Sequence, residues 1–209
     1  IAGKAIRCVA KYLYETGLVS GEHMTIETNS GVKDVNVFSF GGKVTSASVD
    51  LGKVELDGEK IPSVWKGERI VDHPMEIGGK EYRVTLVNLG NPHCVIFCDK
   101  VDAVPVGTLG PAIETSKYFP QRTNVEFIRV VNETTIKMRV WERGNGETWA
   151  CGTGAAAAAV ACVLNGFCQK DTDITVKLKG GDLIVNYHSD GSVILTGTVA
   201  KVYEGKLEF

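Results

Sequence analysis

Cys151-Gly152-Thr153-Gly154-Ala155-Ala156-Ala157-Ala158-Ala159-Val160-Ala161-Cys162-Val163-Leu164-Asn165-Gly166 is the stretch from which the fold is read. Alanine has the highest helix propensity, so Ala155–Leu164 is predicted to be a helix. Gly166 stands where a C-terminal cap belongs. The same outline opens the chain: Ala2-Gly3-Lys4-Ala5, a predicted helix over Ala5–Tyr14, then Gly17. A single offset of 149 pairs Gly3 with Gly152, Gly17 with Gly166, Gly31 with Gly180 and Gly42 with Gly191. Each helix precedes alternating strand patterns, at Met24–Thr28, Val35–Phe40 and Val44–Val49 and again at Ile174–Leu178, Leu183–Tyr187 and Val193–Thr198. The chain therefore reads as an internal repeat.

Between the copies, strand patterns occur at Arg83–Leu89, Val95–Cys98, Asn124–Val131 and Thr135–Trp141, with no counterpart ahead of the first helix. By symmetry the first copy lacks its leading section, and the start at Ile1, without Met, fits an absent N-terminus. The expected division is one α/β domain over residues 51–196, and the remainder of a similar one over residues 1–50 with 197–209.

Composition narrows the function. In 209 residues, 44% are hydrophobic and 23% charged, the balance of a globular protein rather than a disordered tail or coiled coil. The formal net charge of −2 lacks the basic excess of a nucleic-acid binder. The apolar run Ala155–Leu164 is too short for a bilayer, which takes about 20 residues. With no visible signal peptide, a cytoplasmic location is expected. The six cysteines form neither a disulfide framework nor the paired CxxC spacing of a zinc site, so no metal is expected.

Three motifs carry chemistry. In Trp141-Glu142-Arg143-Gly144-Asn145-Gly146-Glu147-Thr148-Trp149-Ala150-Cys151-Gly152-Thr153-Gly154, a charged pair leaves a strand and a cysteine enters a helix. The helix N-terminus is expected to favour the Cys151 thiolate and make it the most reactive thiol. Its free N–H groups suit a carboxylate or phosphate, and Arg143 can grip a carboxylate through two hydrogen bonds. In Gly90-Asn91-Pro92-His93-Cys94, His93 is placed to tune a thiolate, while Cys94 and Cys98 read as core. In Arg122-Thr123-Asn124-Val125-Glu126-Phe127, Asn124 opens a strand, where an amide can meet a polar substrate or cap a turn.

Together Glu142–Ala155, Gly90–Cys94, Arg122–Phe127 and Ala5-Ile6-Arg7-Cys8 resemble the diaminopimelate epimerase family over essentially the whole chain. The resemblance implies an α/β (α+β) fold of two pseudosymmetric domains, each a mixed or antiparallel sheet around a central helix, here with the first domain incomplete. It implies cofactor-free interconversion of LL- and meso-diaminopimelate, in lysine and cell-wall synthesis, by two cysteines on opposite faces of one α-carbon. Cys151 matches one of them. Asn91, Asn124, Glu142 and Arg143 match substrate contacts, the backbone of Gly152 and Thr153 a carboxylate cradle, and Gly3 and Lys4 its counterpart. His93 and Glu142 match groups that support proton transfer. The expected partner is a small molecule, not nucleic acid or membrane, and a homodimer is compatible with the family. The family's Cys-Gly-Asn stands here as Ala2-Gly3-Lys4, so the second cysteine is absent and epimerisation is expected to be impaired. Cys8 lies about 9 Å further along the helix, out of reach. Proline racemase, which shares the two-cysteine plan, and a non-catalytic amino-acid-binding relative are the alternatives.

Overall fold

A computed structural model describes residues 3–67 and 69–208. Its elements are α1 (Gly3–Glu15), β1 (His23–Thr28), β2 (Gly31–Phe40), β3 (Lys43–Lys53), β4 (His73–Ile77), β5 (Lys80–Asn88), β6 (Pro92–Phe97), α2 (Val106–Glu114), β7 (Asn124–Asn132), β8 (Thr135–Glu142), β9 (Gly146–Thr148), α3 (Gly152–Leu164), β10 (Asp173–Leu178), β11 (Gly181–Tyr187) and β12 (Ser192–Thr198). One mixed sheet runs β1-β2-β3-β12-β11-β10-β8-β7-β6-β5-β4, with β9 paired to β8. The pairs β6–β7 and β8–β10 are parallel and the others antiparallel.

The two copies share an order, a helix and then three antiparallel strands, but not a single offset. The helices keep 149, and Gly17 and Gly166 both cap with positive φ, 71° and 78°. In the first hairpins Thr28 pairs with Gly31 and Leu178 with Gly181, so the partner of Gly31 is Gly181, not Gly180. In the second hairpins Val35 pairs with Val49 and Val185 with Leu195, four residues fewer of chain in the second copy. The ungapped match expected from the glycines is thus a coincidence of one lengthened connection and one shortened hairpin.

The copies join along β3 and β12. Val49 and Leu195, equivalent in the repeat, face each other in that antiparallel pair, which puts the pseudo-twofold axis there. The Cδ2 of Leu195 lies 3.1 Å from where a Cβ on Gly3 would sit and 3.0 Å from one on Gly152, and a Cβ on Gly152 would lie 3.8 Å from the Gly3 Cα. A side chain on either glycine would press on Leu195, and the two helix N-termini lie in van der Waals reach of each other.

The helices differ in their covering. Residues 153–162 of α3 are all buried, because β5–β8 and β10–β12 surround it; a helix apolar on every face requires that enclosure. In α1 the buried side, Ile6, Arg7 and Ala10, lies on β2 and β3, while Ala5, Cys8, Val9 and Tyr12 are exposed. A second apolar layer, including Ile61, Met75, Leu86, Ile113 and Phe127, packs the other face of β4–β7 beneath α2 and the 57–70 loop. Among the described residues no helix is long and apolar enough to cross a membrane.

Candidate active site at the first turn of α3

Cys151 is the N-cap of α3, extended at φ −129° and ψ 117°, and its Sγ accepts from the Gly154 N–H at 3.3 Å. The Thr153 hydroxyl stands 3.7 Å from the same sulfur. Gly154 is required here. A Cβ would come within 2.8 Å of Glu126 Oε1 and 3.2 Å of Cys151 Sγ.

Cys151 is buried, 7% exposed, and its thiol is pushed up to about 12. Desolvation is the largest cause, followed by the carboxylates of Glu126 and Glu142. The Gly154 N–H and Thr153 hydroxyl oppose the shift without reversing it. The thiol is thus raised where the helix N-terminus is expected to lower it, because a dry setting and two nearby carboxylates outweigh the hydrogen bonds from the first turn.

His93 and Glu126 form a wholly buried pair on adjacent parallel strands, with His93 Nδ1 2.7 Å from Glu126 Oε1. Burial pushes the Glu126 carboxyl up, and its Oε2 has no hydrogen-bond partner among the described residues. His93 Nε2 meets Asn91 Oδ1 at 3.1 Å, and Asn91 Nδ2 donates to Thr153 Oγ1 at 3.2 Å. His93 thus reaches Cys151 through Asn91 and Thr153.

Asn124 has both ends of its amide taken by the chain. Its Nδ2 donates to the Pro92 carbonyl at 2.9 Å and its Oδ1 accepts from the Arg143 N–H at 2.9 Å, tying the 90–94 loop to the turn after β8. Glu142 accepts from the Thr148 hydroxyl, across the β8–β9 hairpin. The Arg143 side chain is exposed, and its Nη1 donates to the Gln121 carbonyl at 3.2 Å. Asn91 and Arg143 line an open cleft of about 540 Å³ together with Lys60, Lys66 and Gln121. Gly152 and Gly3 meet at the helix starts, and Lys4 is exposed one residue on. Ala2, at the family's second cysteine position, lies outside the described residues.

Two supports escaped the sequence reading. Glu126 lay inside a quoted motif without a role. Glu114 is buried at the end of α2 and accepts from Trp141 Nε1 at 2.7 Å and from the Gly144 N–H at 3.0 Å, fixing the turn that carries Glu142 and Arg143. Gly107, Gly110 and Pro111 are poor helix formers, so α2 has little local signal in the sequence. Gly110 is there because the Trp141 ring lies 2.5 Å from where its Cβ would be.

The chain is similar to named proteins. A diaminopimelate epimerase family model matches residues 85–202. A diaminopimelate epimerase of Pelotomaculum thermopropionicum is 48% identical over 209 residues, all of this chain and 74% of that protein. One from Moorella thermoacetica is 46% identical over 206 residues, 98% of this chain and 73% of that protein. A crystal structure of a probable proline racemase from Agrobacterium radiobacter superposes with a TM-score of 0.65 at 14% identity, over 91% of this chain and 63% of that one, which is a likeness of fold. The chain belongs to the diaminopimelate epimerase family of isomerases.

Proposed function

We propose that this chain carries one acid–base half of a cofactor-free site that acts on the α-carbon of diaminopimelate, interconverting the LL and meso forms in lysine biosynthesis. The observation that carries the reading is Cys151 at a helix N-cap, its sulfur held by the Gly154 N–H and facing the Thr153 hydroxyl. The α-carboxylate lies on the free N–H groups of Gly152 and Thr153, opposed by those of Gly3 and Lys4. As the α-proton leaves, negative charge grows onto that carboxylate, where two helix N-termini stabilise it. Asn91 and Arg143 face the cleft and hold the polar groups of the substrate, Glu142 adds to the contacts, and Asn124 reaches the substrate only by giving up one of its two bonds within the chain. His93 and Glu142 support the proton transfers.

A thiol pushed up to about 12 rests protonated near neutral pH, so it is the small thiolate fraction that takes the α-proton, and the thiol so formed returns a proton to the same face of the planar carbanion. Acting as base, it must first lose its own proton. The family's second cysteine is Ala2 in this sequence, so no thiol from that position takes or gives a proton. Residues 1–50 with 197–209 and residues 51–196 are the two units between which the site lies. A cytoplasmic location, a small-molecule substrate and no cofactor belong to the same reading.

Heavy water tests it. Proton NMR of each diaminopimelate isomer, followed by chiral analysis, is expected to show slow α-hydrogen exchange in one isomer with retention of configuration. The rate should rise with pH through the alkaline range. Inversion at a rapid rate would place a second acid elsewhere. No exchange at any pH would favour a binding protein without catalysis.

A further inference from the structure

We propose that Glu126 is a positioning residue whose carboxyl, through His93, Asn91 and Thr153, aims a hydroxyl hydrogen at the Cys151 sulfur. This rests on the acid–base reading of Cys151 just given.

The contacts form an unbroken series: Glu126 Oε1 to His93 Nδ1 at 2.7 Å, His93 Nε2 to Asn91 Oδ1 at 3.1 Å, Asn91 Nδ2 to Thr153 Oγ1 at 3.2 Å, Thr153 Oγ1 to Cys151 Sγ at 3.7 Å. Each group fixes the hydrogen of the next. Asn91 donates through its nitrogen to Thr153, so its carbonyl oxygen is the end that faces His93. An acceptor there requires the His93 proton on Nε2. Nδ1 is then bonded to a carboxyl whose other oxygen has no hydrogen-bond partner among the described residues. At the far end, Thr153 already accepts from Asn91, which leaves its own hydrogen for the sulfur. The amide of Asn91 does not pass protons along; the series sets direction, not transfer.

The setting is dry. His93 and Glu126 are both 0% exposed, and Thr153 is 6% exposed. In such surroundings a hydrogen bond to a reacting atom counts for more than it does in water. Burial pushes the Glu126 carboxyl up. The series also accounts for Gly154: any side chain there would strike Glu126 Oε1 and Cys151 Sγ together.

The test separates charge from direction. Glu126→Gln and Glu126→Leu both remove the titrating carboxyl, but only glutamine keeps a hydrogen bond to His93 Nδ1. The titrating groups around the sulfur are Glu126, Glu142 and His93, and the last two are common to both variants. Iodoacetamide alkylation of Cys151, followed against pH by peptide mass spectrometry, is expected to be about threefold to tenfold slower in the leucine variant than in the glutamine variant. That is the span of one hydrogen bond to the sulfur. Adding Thr153→Val to each should abolish the difference. Long-range nitrogen–proton NMR should find His93 as the Nε2–H tautomer in the parent and in Glu126→Gln. Equal rates in the two variants, a difference that survives Thr153→Val, or an Nδ1–H tautomer in the parent would each overturn the proposal. If Glu126→Leu does not fold, the parent tautomer and the slowing of Cys151 by Thr153→Val alone decide it. None of these readouts uses diaminopimelate. Absent α-hydrogen exchange with the series intact therefore counts against the reading of function, and exchange with the series absent counts against the role of Glu126.

Discussion

Replacing Gly154 by alanine sets two effects against each other, and the structure says which wins. Alanine gains about 1 kcal/mol of helix propensity over glycine. Against that, its Cβ would sit 2.8 Å from Glu126 Oε1 and 3.2 Å from both Cβ and Sγ of Cys151. Neither neighbour can move freely. Glu126 is wholly buried and bonded to a wholly buried His93, and Cys151 is the helix cap. Overpacking costs about 1–3 kcal/mol, and breaking a buried bond to an ionisable group costs about 1.5–3 kcal/mol more. The expected net loss is about 2–5 kcal/mol. At about 1–3 kcal/mol per molar in urea, the unfolding midpoint should fall by about 1 M or more in equilibrium denaturation followed by circular dichroism. Gly107→Ala is the control, since a Cβ there meets nothing within 4 Å, and it should hold or raise the midpoint. A Gly154→Ala protein at least as stable as its parent would refute the close approach of Glu126, Cys151 and the helix start.

The remaining expectations concern the thiols. A folded-state value pushed up to about 12, against the ordinary 9, means that Cys151 lends full stability below pH 9 and withdraws it as pH rises toward 12. The change is at most about 4 kcal/mol by linkage, and Cys151→Ala should flatten the alkaline limb of urea midpoints measured against pH. Mild alkylation at neutral pH is expected to label the exposed Cys8 first and the buried Cys151 slowly, reversing the order that helix position alone suggests; first labelling of Cys151 would show that the site opens readily.

What the sequence made legible follows from how local each signal is. Ala155–Leu164 and the alternating runs announce themselves within a few residues, and both repeat helices and the strands after them lie where those patterns put them. The repeat was legible as an order of elements, while its ungapped offset was not real, because glycines recur at hairpin tips whatever the length between them. Strand β4 escaped because His73-Pro74-Met75-Glu76-Ile77 has a proline and little alternation, and its strand state depends on the pairing with β5. In the site, the motifs identified which residues gather. They did not carry the balance of charge around Cys151, because Glu126 and Glu142 approach it from separate strands. A helix dipole is visible in sequence, whereas desolvation and long-range carboxylates are tertiary facts.

The β3–β12 seam has a kinetic consequence. Its partners, Val49 and Leu195 among them, are separated by most of the chain, so closing it costs loop entropy that no nearby contact offsets. Until β12 arrives, β3 has only β2 beside it, and α1 has no helix N-terminus to lean on. The β3 edge of the first copy is completed only by β12, a distant contact of the kind that slows folding. Synthesis in chain order makes β1–β3 well before β12, so the β12 side of β3 stays open until that strand follows.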